Sequence, residues 1–273
     1  MSTVVVAGAT GYLGRFIVAE LHRQGHEVRA IVRDQERAEL PGPWGSPALV
    51  GMVNEWAVGN VTDPVFAADV VEGASRVISA LGVTRQKANP WDVDYRANLA
   101  LLQSALHHQV TSFCYVNVLG GAECPARLTQ AKAAFVRELQ AADVVSQVIN
   151  PSGYFSDMMQ ILAMARRGRV FLLDPHKRVH PIHGADLARV CVEKQTAGEW
   201  DVGGPDVFTW WELAECAFRA VHKPAKITVL PRVVGMLLAQ ARWSTLGFAA
   251  WNMMHDSVGE SVGSHKLYDF YQG

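Results

Sequence analysis

Three glycines set three residues apart, Gly8, Gly11 and Gly14, follow the β-branched run Val4-Val5-Val6 and lead into Phe16, Ile17, Val18 and Leu21 at helical spacing. A turn of that composition holds anions. One Gly supplies the tight turn, another lets the backbone approach a pyrophosphate, and the third lets helix and strand pack closely, while N–H groups of the first helical turn face the negative charge. His26 to Val32 adds a second strand and completes a βαβ unit, the context that separates a dinucleotide-binding turn from a plain glycine-rich loop. At the end of that strand stand Arg33 and Asp34. A carboxylate there would hold the ribose 2′-hydroxyl of NAD, whereas a guanidinium fork suits the 2′-phosphate of NADP. Arg33 comes first, with Arg37 one turn on, so NADP(H) is the expected cofactor; NAD(H) is the alternative if Asp34 turns inward.

The elements that must position this turn follow the same rhythm. Val77 to Leu81 reads as a buried strand, Tyr95 to His107 as a helix, Phe113 to Val118 as a strand, Leu128 to Ala141 as a helix and Val144 to Ile149 as a strand. Such alternation predicts an α/β, Rossmann-type doubly wound parallel sheet. Beyond Pro151 the pattern loosens into helices near Met158 to Arg166, Asp186 to Lys194 and Leu213 to Val221, with extended pieces at Val179 to His183 and Trp200 to Val202. The expected organisation is an NAD(P)-binding core over 1–150, with contributions from about 179–204. Residues 151–178 and 205–273 form a smaller C-terminal substrate lobe, the whole being one integrated domain with its site in the cleft.

Composition narrows the chemistry. Of 273 residues, 49% are hydrophobic and 19% charged, which excludes a disordered chain, and a net charge of −1 leaves no basic field for nucleic acid. Cys114, Cys124, Cys191 and Cys216 form no C-x-x-C pair, and His176, His180 and His183 lack a partner at tetrahedral spacing, so no metal site is expected. His183 is expected to bond within the fold, with Asp186 capping the next helix. The apolar run from Val233 to Ala239 stops at Gln240 and Arg242, too short to span a bilayer. With no leader pattern after Met1, the expected location is cytoplasmic. Trp210, Trp211, Trp243, Phe248, Trp251, Met253 and Met254 suit a bulky apolar or aromatic substrate or a subunit interface, in a monomer or homodimer.

Further landmarks join the glycine turn: Gly59-Asn-Val-Thr-Asp63, Ser79-Ala-Leu-Gly82, Asp94-Tyr-Arg-Ala-Asn98, Tyr115-Val-Asn117-Val, Asn150-Pro-Ser-Gly-Tyr-Phe155 and Pro181-Ile-His183-Gly-Ala-Asp186-Leu. With them the chain resembles the short-chain dehydrogenase/reductase superfamily, in its atypical NmrA-like and isoflavone-reductase-like branch, over residues 1 to about 215. The resemblance implies cofactor contacts from Gly8, Thr10, Gly11, Tyr12, Leu13 and Gly14 at the turn and from Arg33 at the ribose. Asn60 and Val61 would lie by the adenine, Ala80, Leu81 and Gly82 would line the nicotinamide side, and Pro151, Gly153, Tyr154 and Phe155 would close over the ring.

The resemblance also exposes two departures. Most members carry a catalytic Tyr four residues before a Lys on one helical face, where the ammonium lowers the phenol's pKa. This chain has Lys132, but position 128 is Leu, and the usual Ser after the fifth strand is Asn117. Lys132 then has two possible tasks, binding the nicotinamide ribose or serving as proton donor, and Tyr154 is the substitute phenol. The leading expectation is an NADP(H)-dependent reductase, of ketoreductase type, for a hydrophobic carbonyl, quinone-like or conjugated compound. The alternative is a non-catalytic redox sensor or assembly factor, which Leu128 favours; nucleotide-sugar epimerisation is weaker because it relies on the missing Tyr.

Overall fold

The computed structural model describes residues 2–83, 88–240 and 245–273; Trp243 and Arg242 lie outside the described residues. In chain order the first half comprises β1 (Thr3–Ala7), α1 (Tyr12–Arg23), β2 (Glu27–Val32), α2 (Gln35–Glu39), β3 (Glu55–Val58), α3 (Pro64–Asp69) and β4 (Arg76–Ser79). A π-helical stretch (Trp91–Ala97) then runs into α4 (Asn98–His107), followed by β5 (Ser112–Val116), α5 (Arg127–Ala141) and β6 (Val145–Pro151). The second half comprises α6 (Phe155–Arg166), β7 (Val170–Leu172), β8 (Arg178–Val179), α7 (Gly184–Glu193), β9 (Gly198–Gly203), β10 (Phe208–Thr209), α8 (Trp210–Ala220), β11 (Ile227–Val229), α9 (Arg232–Ala239), α10 (Thr245–Met253), β12 (Glu260–Ser261) and α11 (Leu267–Gln272).

Eight strands make one sheet in the order β12-β9-β6-β5-β4-β1-β2-β3. Adjacent strands from β6 to β3 pair in parallel, with Val5 opposite Arg29 on one side and Val77 on the other. The order reverses at β1, whose neighbours are β2 and β4, as in the doubly wound sheet that the alternation predicts. The chain divides into two compact units: Met1–Asn117, Ala131–Ile149 and Leu187–Glu199 form the first, and Val118–Gln130, Asn150–Asp186 and Trp200–Gly273 the second.

In the first unit Val5, Val77, Phe113, Tyr115, Leu101 and Phe135 are fully buried in one core. Two arginines act as staples there. Arg15 on α1 donates to the carbonyls of Thr10, Arg37, Ala38, Leu40 and Pro47 and so ties the glycine turn to the α2 segment. Arg76, on central strand β4, donates to the carbonyls of Cys191, Val192 and Lys194, satisfying orphan acceptors at the end of α7. In the second unit Phe155, Leu162, Leu172, Leu213, Phe218 and Tyr271 form a separate core. The short strand β7 pairs with β11 there, and β8 with β10.

Candidate functional site

The glycine turn departs from strand geometry at once: Gly8 has a φ of +77°, which a side chain would strain. A Cβ on Gly8 would also lie 2.8 Å from the carbonyl carbon and oxygen of Ala80, and one on Gly14 would lie 2.1 Å from the Gly8 oxygen. Those two positions need glycine because backbone presses on backbone. Gly11 differs. It is the N-cap of α1 with ordinary dihedrals (φ −71°, ψ 166°), and an added Cβ would meet only the Gly8 oxygen, at 3.2 Å. Its bare Cα therefore faces open space beside the first N–H groups of α1, the place where an anion could approach. Thr10, Gly11 and Tyr12 are at least partly exposed, whereas Leu13 and Gly14 are buried.

At the end of β2 both Arg33 and Asp34 are exposed, but they are not equally available. The Asp34 carboxylate accepts the Arg37 N–H at 3.0 Å as the N-cap of α2. A capping carboxylate is anchored to its own helix. After β3, Asn60 accepts the Thr62 N–H with its side chain while Val61 turns into the core.

The segment after β4 joins the turn to the polar centre of the unit. Ala80 and Leu81 press on Gly8; two residues along, a Cβ on Gly82 would stand 3.0 Å from Asp94 Oδ1 and 3.3 Å from Lys132 Nζ. Lys132, on α5, donates to Tyr115 Oη at 3.2 Å and to the Val116 carbonyl at 3.1 Å, and its ammonium pairs with Asp94 Oδ1 at 3.3 Å. Asp94 has no exposed surface, and its other oxygen accepts the Val83 N–H at 3.1 Å. Asn98 anchors the same helical stretch by donating to the Val93 and Asp94 carbonyls and accepting from Ser79 Oγ at 2.5 Å.

These surroundings shift the Asp94 carboxyl and the Tyr115 phenol in the same direction. Burial pushes the Asp94 carboxyl above its ordinary value, and the Lys132 ammonium opposes that shift. Tyr115 is fully buried, and burial together with the Asp94 carboxylate holds its phenol well above 10. The phenol that bonds Lys132 is therefore no displaced copy of the activated Tyr that precedes Lys in most relatives. It is a buried hydrogen-bond partner, with its ring 4.7 Å from Phe135. Asn117 follows β5, donates its N–H to the Ile149 carbonyl and keeps a buried side-chain oxygen.

The remaining predicted residues belong to the second unit. Tyr154 is half-buried and forms a bridge with Ile182, while the backbone of Gly153 and Phe155 bonds both sides of Ile182. Pro151 ends β6. Phe155 is 1% exposed, its ring tilted or edge-on to Phe270 and His183. His183 accepts the Ala185 N–H through Nδ1 and stacks on His265 at 4.2 Å; burial, then the neighbouring His265, lowers its pKa to about 4. Asp186 does not spend its carboxylate on its own helix: Oδ2 accepts the N–H groups of Ser264 and His265, and Oδ1 bonds the His265 ring at 2.9 Å. Among the described residues no three His, Cys, Asp or Glu converge as a metal centre.

Sequence reasoning found Lys132 but missed Asp94 and Tyr115 as its supports, and Arg15 as the tie of the glycine turn. A signal existed: Asp94 and Asn98 fall on the same stripe as the buried Ala97, Leu101 and Ala105, so two polar residues sit where a helix buries its apolar face.

A family model described as NAD(P)H-binding matches residues 8–194. The divinyl chlorophyllide a 8-vinyl-reductase of Zea mays is 28% identical over 252 residues, covering 84% of this chain. The photosystem II assembly factor Ycf39 of Cyanidium caldarium is 27% identical over 158 residues, covering 57% of it. The chain spans 62% of the length of the maize protein and 48% of that of Ycf39. In fold it is similar to the NADPH-dependent quinone oxidoreductase QOR2 of Escherichia coli, solved with NADPH, with a TM-score of 0.72 and 17% identity over 92% of this chain and 86% of that one. The glycine turn, the parallel sheet and the matched span together show that this chain belongs to the NAD(P)H-binding family.

Proposed function

We propose that this protein is an NADP(H)-dependent reductase of a hydrophobic carbonyl, quinone-like or conjugated small molecule, acting in the cytoplasm. The observation that supports the reading is the continuity of the first unit, in which one segment, Ala80 to Gly82, touches the Gly8 turn at one end and the Lys132–Asp94 pair at the other. The cofactor's chemistry is hydride transfer at C4 of the nicotinamide. The N–H groups after Gly11, with Thr10, Tyr12 and Leu13, would hold the diphosphate. Arg33 would hold the 2′-phosphate, because Asp34 is occupied as a cap. Asn60 and Val61 would border the adenine.

Lys132 would bind ribose hydroxyls with an ammonium that Asp94, Tyr115 and the Val116 carbonyl hold in place. The Asn117 amide would donate to the oxyanion that develops as hydride arrives. Pro151, Gly153, Tyr154 and Phe155 remain the proposed cover of the ring. The reduction would transfer one hydride and one proton: the hydride to carbon, and the proton to oxygen or the neighbouring carbon from Lys132, Tyr154, water or the substrate. The names of the maize vinyl reductase and the Escherichia coli quinone oxidoreductase fall in the same class of conjugated acceptors.

One observation favours a second reading, a non-catalytic redox sensor or assembly factor. Leu128 cannot donate a proton, and the phenol bonded to Lys132 is buried. The similarity to Ycf39 points the same way. Turnover separates the two. NADPH oxidation with a panel of quinones, aromatic ketones and vinyl-conjugated ring systems supports the reductase. Tight, oxidation-state-dependent cofactor binding with no oxidation across the panel supports the sensor.

A further inference from the structure

The overall charge of −1 conceals an uneven distribution. From Cys216 to His255 the sequence contains five Lys and Arg residues and no Asp or Glu, and from Met158 to Leu173 it contains three Arg and again no acid. The second unit brings these two stretches together. Strand β7 pairs in parallel with β11, with Phe171 opposite Thr228, and the Val170 N–H donates to the Lys226 carbonyl. Arg169 donates to Thr228 Oγ1 at 2.9 Å, and the Lys223 ammonium donates to the Arg166 carbonyl. Arg166, Arg167, Arg169, Lys223, Lys226 and Arg232 are all exposed.

Directly after this basic group, Pro231 starts α9, which carries no acidic side chain. Val233, Met236 and Leu237 lie at i, i+3 and i+4, on one helical face, and are 58%, 54% and 62% exposed; Leu246, early in α10, is 54% exposed. The side opposite is committed inward: a Cβ on Gly235 would lie 2.7 Å from Met254 Sδ and 3.4 Å from Leu173. An apolar face of this kind, in a stretch of sequence that carries basic and no acidic side chains, is not an ordinary solvated surface. Helices of eight and nine residues are too short to cross a bilayer but long enough to lie on one.

From this juxtaposition we infer that the α9–α10 face is a docking surface for an anionic lipid bilayer, with Met236, Leu237 and Leu246 entering the interface and the Arg and Lys residues facing acidic headgroups. Charge complementarity selects this occupant. A second copy of the chain would set one cationic face against another, whereas a leaflet with anionic headgroups attracts the cations and accepts the apolar side chains. The inference stands independently of cofactor and substrate.

The test is co-sedimentation of the full chain with vesicles of phosphatidylcholine alone and of phosphatidylcholine containing about a third phosphatidylglycerol. The protein is expected to pellet with the anionic vesicles only and to be released by salt. Met236→Ser with Leu237→Ser should weaken partition about tenfold, and Lys226→Gln and Arg232→Gln about fivefold each; melting temperature and NADPH affinity should stay as in wild type. Partition that is absent, equal for both vesicle types, or unchanged in the Met236/Leu237 variant overturns the inference. So does a wild-type dimer that this variant makes monomeric without any vesicle binding, or capture by an acidic polypeptide alone.

Discussion

Replacing Lys132 by Met tests the polar centre of the first unit and separates its structural part from its binding part. The ammonium stands 3.3 Å from Asp94 Oδ1, a distance at which the gross attraction is about 5 kcal/mol for an effective dielectric near 20. Most of that offsets desolvation of a carboxylate with no exposed surface, so the pair's net value is small while the cost of breaking it is large. Lys132→Met should lose about 3 to 5 kcal/mol at pH 8, read by urea denaturation. The pH dependence has a definite sign. Without the cation the Asp94 carboxyl rises further above its unfolded value, so the variant is most stable at low pH and loses stability as pH climbs through the native pKa. Adding Asp94→Asn should restore most of the loss and remove the extra slope. The double variant, folded but lacking the ammonium, should still bind NADPH more weakly than wild type. A Lys132→Met protein as stable as wild type at both pH 5 and pH 8 would refute the pairing.

Arg33→Ala should weaken NADPH by about 1.5 to 3 kcal/mol and leave NADH nearly unchanged in parallel titrations; equal losses would assign the preference to Asp34. Gly14→Ala should fail to fold or lose about 3 kcal/mol or more in thermal denaturation, because its Cβ would meet the Gly8 carbonyl oxygen at 2.1 Å, with no flexible side chain to yield. His183 has a native pKa of about 4 against about 6.5 unfolded, so the stability it supports is present above pH 6.5 and lost as pH falls toward 4. Its partial exposure reduces the expected contribution to about 1 to 2 kcal/mol. Scans across that window should show a shallower acid limb in His183→Gln than in wild type.

Much of the first unit was legible because local signals agree with the global fold. Val4 to Val6, the glycine spacing and the βαβ length all specify one turn, and β1, α1 and β2 stand where those signals put them. The sequence pattern starts this helix at Tyr95, whereas the structure begins at Trp91 with a π-helical stretch; Asn89 accepts the Trp91 N–H, a capping signal hidden by Pro90. In the sequence helix α9 shows only as an apolar run, because its buried face packs on Leu173 and Met254 rather than being marked by an alternation with polar residues. The supports of the site were the least legible. An Asp in a helix and an Arg on a strand ordinarily face water, and only tertiary burial turns Asp94 into the partner of Lys132 and Arg76 into a cap for α7. Asp186 shows the same limit: it precedes a helical pattern and looks like a cap, but residues 264 and 265, far along the chain, claim its oxygens.

The most direct test of the central claim, that the 8–14 turn holds a pyridine dinucleotide, is a fluorescence titration of NADPH against wild type and Gly11→Val. Gly11 has dihedrals that any residue adopts and one neighbour at 3.2 Å, so the variant should keep its fold and melting temperature close to wild type. Its branched side chain should fill the space the diphosphate needs and abolish saturable binding. Saturable NADPH binding by wild type and none by a folded Gly11→Val is the predicted result. Equal affinity in the two proteins would contradict the account.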